Sequence, residues 1–162
     1  MYCDKIDLSA TPWTIIYNHS MQSVKAKEVK LPSKLETLDT GALQGAAIEE
    51  ELILPNTLEA VGTYAFMSEM NYSRVGDIKI TSLPKSITSI GHAAFYGQSR
   101  VTADVNLPKL VTLSNAAFMH TNVRDIVLGS SIEHIDPFVF FDTPKARNIT
   151  RPDRKSGSAG MP

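Results

Sequence analysis

The chain has 162 residues, 43% of them hydrophobic and 20% charged, with a formal net charge of −1, enough apolar content for one core without metals or disulfides. That balance excludes the basic stripe by which proteins displace counterions from nucleic acid, and the single cysteine, Cys3, excludes an internal disulfide. No apolar run reaches membrane-spanning length and the first residues lack a continuous apolar stretch, so neither a membrane span nor an export signal is expected.

In chain order, residues 1–23 carry a degenerate copy of a repeat, with Ile6, Leu8, Pro12, Trp13, Ile15 and Ile16 in place of its regular residues, and are expected to cap the N-terminal end. Residues 24–141 hold five copies. The first runs Leu31-Pro32, Leu35, Leu38, Ala42-Leu43. The second runs Leu54-Pro55, Leu58, Val61-Gly62, Ala65-Phe66, and the third Leu83-Pro84, Ile87, Ile90-Gly91, Ala94-Phe95. The fourth, Leu107-Pro108, Leu110, Leu113, Ala117-Phe118, lacks one residue after its proline, and the fifth, Leu128-Gly129, Ile132, Ile135-Asp136, Val139-Phe140, has glycine there. An insertion over about 67–82 breaks the period and should form a side loop with Met70 and Tyr72 as its exposed apolar groups. Residues 142–162 form a basic tail rich in Ser, Gly and Pro, unable to build a core.

Each Leu-Pro follows alternating apolar residues, such as Val29 and Leu31 or Ile126 and Leu128, and period two means a strand with one buried face. Proline then ends the strand, because it has no N–H for a ladder and a fixed φ. Gly62 and Gly91 are expected at positive φ where the chain bends into Ala-Phe, with Asp39 and Asp136 as tolerated substitutes. Small Ala65, Ala94 and Ala117 make room for Phe66, Phe95 and Phe118 to stack. The fold class predicted is a repeat solenoid of stacked short parallel strands, mostly β with short turns or helical segments.

The pattern resembles the BspA-like, or Treponema-type, leucine-rich repeat, whose unit reads as an aliphatic strand, Leu-Pro, two spaced aliphatics, Ile-Gly and Ala-Phe. It departs at Leu43 for phenylalanine, at Gly129 for proline, and at Asp39, Ser114 and Asp136 for glycine. The resemblance implies adhesion and host or matrix binding at a cell surface, although surface members of that group are usually longer and exported.

Catalysis needs a nucleophile, base or metal set gathered at one point. His19, His92, His120 and His134 fall at four different repeat offsets, Cys3 has no phased histidine, and Gly41 and Gly45 lie outside any phosphate-binding motif. The sequence therefore predicts no enzyme, no cofactor and no metal site. One polar feature is patterned: Glu28, Glu51, Asp77, Asp104 and Asp125, three residues before each inward aliphatic, should face outward as an acidic ladder. Beside them run Lys30, Ile53, Lys79, Asn106 and Val127. These ten residues are the candidate partner-binding face, for a basic segment, a divalent cation or an apolar contact, against the plainer alternative of a solvated strand face. Trp13, Tyr17, Phe138 and Phe141 are expected to plug the two ends of the core, with interface anchors as the alternative.

Two functional readings follow. One is a non-catalytic recognition module binding a protein or a surface glycan. The other is a structural subunit or decoration protein of a large assembly such as a bacteriophage virion, docked onto neighbouring subunits through Lys145, Arg147, Arg151, Arg154 and Lys155 of the tail.

Overall fold

A computed structural model describes residues 2–68 and 76–150. The backbone winds into stacked coils whose strands all pair in parallel with the coils above and below. In chain order the strands are β1 (Tyr2–Asp7), β2 (Ile15–Ile16), β3 (Lys25–Lys30), β4 (Thr37–Leu38), β5 (Ala47–Glu51), β6 (Ala60–Val61) and β7 (Ile78–Lys79). They continue as β8 (Ser89–Ile90), β9 (Val105–Leu107), β10 (Thr112–Leu113), β11 (Ile126–Leu128), β12 (His134–Ile135) and β13 (Ile149–Thr150). No helix occurs among the described residues, so the connecting segments are turns.

Each coil has three hydrogen-bonded sides. On the first, β1-β3-β5-β7 form a four-stranded sheet, joined through the Ile80–Val101 bridge toward the three-stranded sheet β9-β11-β13. On the second, β2-β4-β6-β8-β10-β12 form one regular six-stranded sheet, one strand per coil. The third is a column of turns. The Gly41, Leu43 and Gly45 N–H groups donate to Thr63, Ala65 and Met67 one coil on, and Ala93, Phe95 and Gly97 repeat this onto Asn115, Ala117 and Met119. Every coil thereby satisfies its neighbour's backbone groups, as a buried main chain requires.

The core is one continuous cluster running the length of the stack. Phe66, Phe95 and Phe118 are fully buried and stacked, with ring centroids 5.0 Å apart at each step, and Phe140 extends the column at 5.8 Å. Ala65, Ala94 and Ala117 are fully buried beside them.

The glycine expectation is corrected. Gly62 and Gly91 do not take positive φ; the left-handed residues are Tyr64 (φ 56), Ala93 (φ 49) and Ala116 (φ 56), with Gly41 (φ 60) and Phe138 (φ 59) at the same place in their coils. Gly62 and Gly91 are glycines because the previous coil lies too close. A Cβ on Gly91 would sit 2.6 Å from the Thr63 nitrogen, and one on Gly62 would sit 2.7 Å from the Asp39 carbonyl carbon. Gly129 obeys the same rule, its missing Cβ leaving room for the backbone of Pro108. Asp39 has ordinary φ as well, and its carboxylate accepts the Thr40 N–H at 2.7 Å.

Candidate interaction surface

The first side presents the predicted face, and its geometry follows from a kink in the strands. Inward residues are spaced three and then two, as in Ala26, Val29 and Leu31 or Val123, Ile126 and Leu128. Two successive residues therefore turn outward at each kink, among them Lys27–Glu28 and Arg124–Asp125. In β5 the kink is longer, and the register with β7 slips between the pairs Ile48–Ile78 and Glu51–Lys79. Val101, Ala103, Val105 and Leu107 instead alternate strictly, all fully buried.

These irregularities break the acidic ladder into pieces. Glu28 lies beside Lys5 and forms ion pairs with Lys5 (3.6 Å) and Lys30 (3.5 Å). Glu51 lies beside Lys79 and accepts the Thr81 hydroxyl. Asp77 falls on the far side of the register slip, where it accepts the Ser99 hydroxyl at 3.2 Å and the Arg100 N–H at 3.3 Å. Only Asp104 and Asp125 are lateral neighbours: Asp104 accepts the Asp125 N–H at 3.4 Å, and Asp125 accepts the Asn148 amide at 3.0 Å. All five carboxylates thus bond to a neighbouring coil or strand, which relieves the like-charge repulsion of an uncompensated row.

The residues expected as a second row, Lys30, Ile53, Lys79, Asn106 and Val127, are all exposed, and Asn106 and Val127 are register partners, but the slip sets Lys79 beside Glu51 rather than Ile53. Ile53 is 64% exposed and Val127 40%. Of the tail residues, Lys145 and Arg147 are exposed just before β13, which pairs with β11, while Arg151, Arg154 and Lys155 lie outside the described residues, as do Met70 and Tyr72.

Three side chains that carry no periodic signal fix this face. Gln98 is fully buried; its amide donates to the Phe66 and Gly76 carbonyls (2.5 and 3.1 Å) and its oxygen accepts the Ile78 N–H (2.8 Å), closing the base of the insertion from both sides. The Arg100 guanidinium reaches back to the Ile48 and Glu49 carbonyls (3.2 and 2.9 Å) and holds the β5 kink. Tyr2 reaches the same kink from the other end, its hydroxyl donating to Glu49 at 2.7 Å. That hydrogen bond pushes the Tyr2 phenol up to about 12, and the Ser9 hydroxyl and N–H hold the Asp7 carboxyl down at about 2. Partners 20 to 52 residues apart leave no local pattern to read.

The histidines stay apart along the stack. His120 bonds Asp142 at 2.8 Å and meets Tyr96 edge-on, while His92 meets Tyr64. Among the described residues no three His, Cys, Asp or Glu side chains group as metal ligands. The end aromatics are also corrected. Trp13 and Tyr17 are 52% and 67% exposed, and Phe138 and Phe141 are exposed at the other end, because no further coil covers them among the described residues. No helix among those residues is long and apolar enough to cross a membrane.

Stacked parallel strands, a Leu-Pro corner and a column of turn phenylalanines define a leucine-rich-repeat solenoid. The sequence matches the BspA type leucine rich repeat region in six copies, over residues 2–76 and 71–156, and the chain belongs to that family. No curated protein matches it.

Proposed function

We propose that the chain is a non-catalytic protein-interaction module whose first-side strand face is the contact surface. Its family is one of repeats that serve protein interaction, and the observation that carries the reading is the second row. On a face where alternation places polar residues in water, Ile53 and Val127 stand exposed among Lys30, Lys79 and Asn106. Exposed apolar groups set among polar ones are what a protein contact uses, and the Arg100 and Tyr2 clamps on the β5 kink hold the strand that leads to Ile53 in place before a partner arrives. The five carboxylates form the rim of this surface, with Asp104 and Asp125 its most exposed members.

The test is site-specific photocrosslinking in the source cell. A benzoylphenylalanine at position 53 or 127 should yield one discrete adduct, and the same group at Lys85 should not. Equal adducts from all three positions, or none from 53 and 127, would discard this face.

A further inference from the structure

Among the described residues, the N-terminal end of the coil leaves a strand edge and an apolar surface open together. β1 is the outer strand of its sheet. Its Leu8 N–H donates inward to Lys30 at 2.9 Å, so by the alternation of a parallel ladder the N–H groups of Lys5 and Asp7 point to the open edge. Just inside lies a cavity of about 780 Å³ lined by apolar side chains that include Ile6, Leu8, Trp13, Ile15, Met21 and Val24. These belong to the rows that an adjoining coil covers elsewhere in the stack: Ile6 is the register partner of Val29, and Ile16 beneath them that of Leu38.

We propose that this end is a strand-addition site, where an extended segment of another polypeptide pairs with β1 and places its apolar side chains in the cavity. Main-chain bonds would supply affinity and the cavity specificity. The register defines the segment. Cys3, Ile6 and Leu8 point inward, spaced three and then two, so a parallel segment needs apolar residues at that spacing. Asp4 and Lys5, side by side at the kink, call for a basic and then an acidic residue opposite. A second β1 paired in parallel register would instead set Asp4 against Asp4 and Lys5 against Lys5. Within this chain, Val123-Arg124-Asp125-Ile126-Val127-Leu128 has the required pattern, with Val123, Ile126 and Leu128 inward. There it is held between β9 and β13, but as a free peptide it is a suitable probe.

A synthetic peptide of residues 122–130 is titrated into the 162-residue chain. Trp13 is the only tryptophan and lines the cavity, so binding here should blue-shift its emission saturably. A peptide with Ile126→Asp and Leu128→Asp should bind at least tenfold more weakly. On the protein, Lys5→Pro removes an outward N–H while sparing the main-chain bonds to β3, though it gives up the exposed Lys5–Glu28 ion pair, and should weaken binding at least tenfold with the melting temperature nearly retained, whereas Lys5→Ala, which loses the ion pair but keeps the N–H, should weaken binding less. An unmoved emission, equal binding of the substituted peptide, or indifference to Lys5→Pro in the folded variant each overturns the proposal. So does self-association in sedimentation with Trp13 already blue-shifted before peptide is added, which would assign the end to a second copy.

Discussion

Two glycine-region residues, two positions apart, separate strain from crowding. Gly91→Ala drives a Cβ into the Gly62–Thr63 backbone, where the nearest atom is 2.6 Å away, and should cost about 1–3 kcal/mol, as overpacking does. Ala93→Gly removes a Cβ from a residue already at φ 49 and should leave stability within about 1 kcal/mol, since relief of left-handed strain offsets the freer unfolded chain. Urea unfolding of both variants checks this; a reversed order would return the bend to Gly91. Gln98 is a third single-residue test. Gln98→Leu leaves the Ile78 N–H and the Phe66 and Gly76 carbonyls without their partner, and should destabilise by about 2–4 kcal/mol. Titration works at the same scale. Asp7, with its pKa lowered from 3.8 to about 2, contributes stability above pH 3.8 that fades as pH falls through 2. Tyr2, raised from 10.0 to about 12, contributes below pH 10 and loses that contribution as pH rises through 12. Unfolding followed against pH should lose the acid limb in Asp7→Asn and the alkaline limb in Tyr2→Phe.

The phenylalanine column is the element on which the stack depends most. Phe95 lies between Phe66 and Phe118 at 5.0 Å on each side and is fully buried, so Phe95→Ala should cost about 3–5 kcal/mol. Among the described residues Phe140 has a stacked ring neighbour on one side only, 5.8 Å away, and is partly exposed, so Phe140→Ala should cost clearly less. Chemical denaturation followed by circular dichroism orders the two, and equal losses would mean the column does not end at Phe140. The strands before each Leu-Pro were legible because their apolar residues alternate, and the column because Ala-Phe recurs; the two-residue strands of the six-stranded sheet and β13 were not, because two residues are too few to show a period. The β5 kink was not, because its extra residue shows only when β5 is laid against β3 and β7 in register.

A molecule whose coils pack mainly on their neighbours, with only the Tyr2 and Arg100 side chains shown reaching a second coil to β5, gathers stability at its middle and loses it toward its ends. Amide exchange should accordingly be slowest at Phe95 and Ile90 and fastest in β1 and β13, with intermediate protection in β4 and β11; uniform protection would show that the stack opens as one unit. The repeat, its parallel stacking and the buried phenylalanines were determined by the sequence alone, because recurrence of side-chain type is a one-dimensional property and each coil can be read from its own residues. What only the tertiary structure decided is the make-up of the surface. Which carboxylates are neighbours, where Gln98 and Arg100 clamp, and why Gly91 has no side chain depend on distances between coils, and a shift of one residue in register moves a side chain to a different neighbour while leaving the repeat intact.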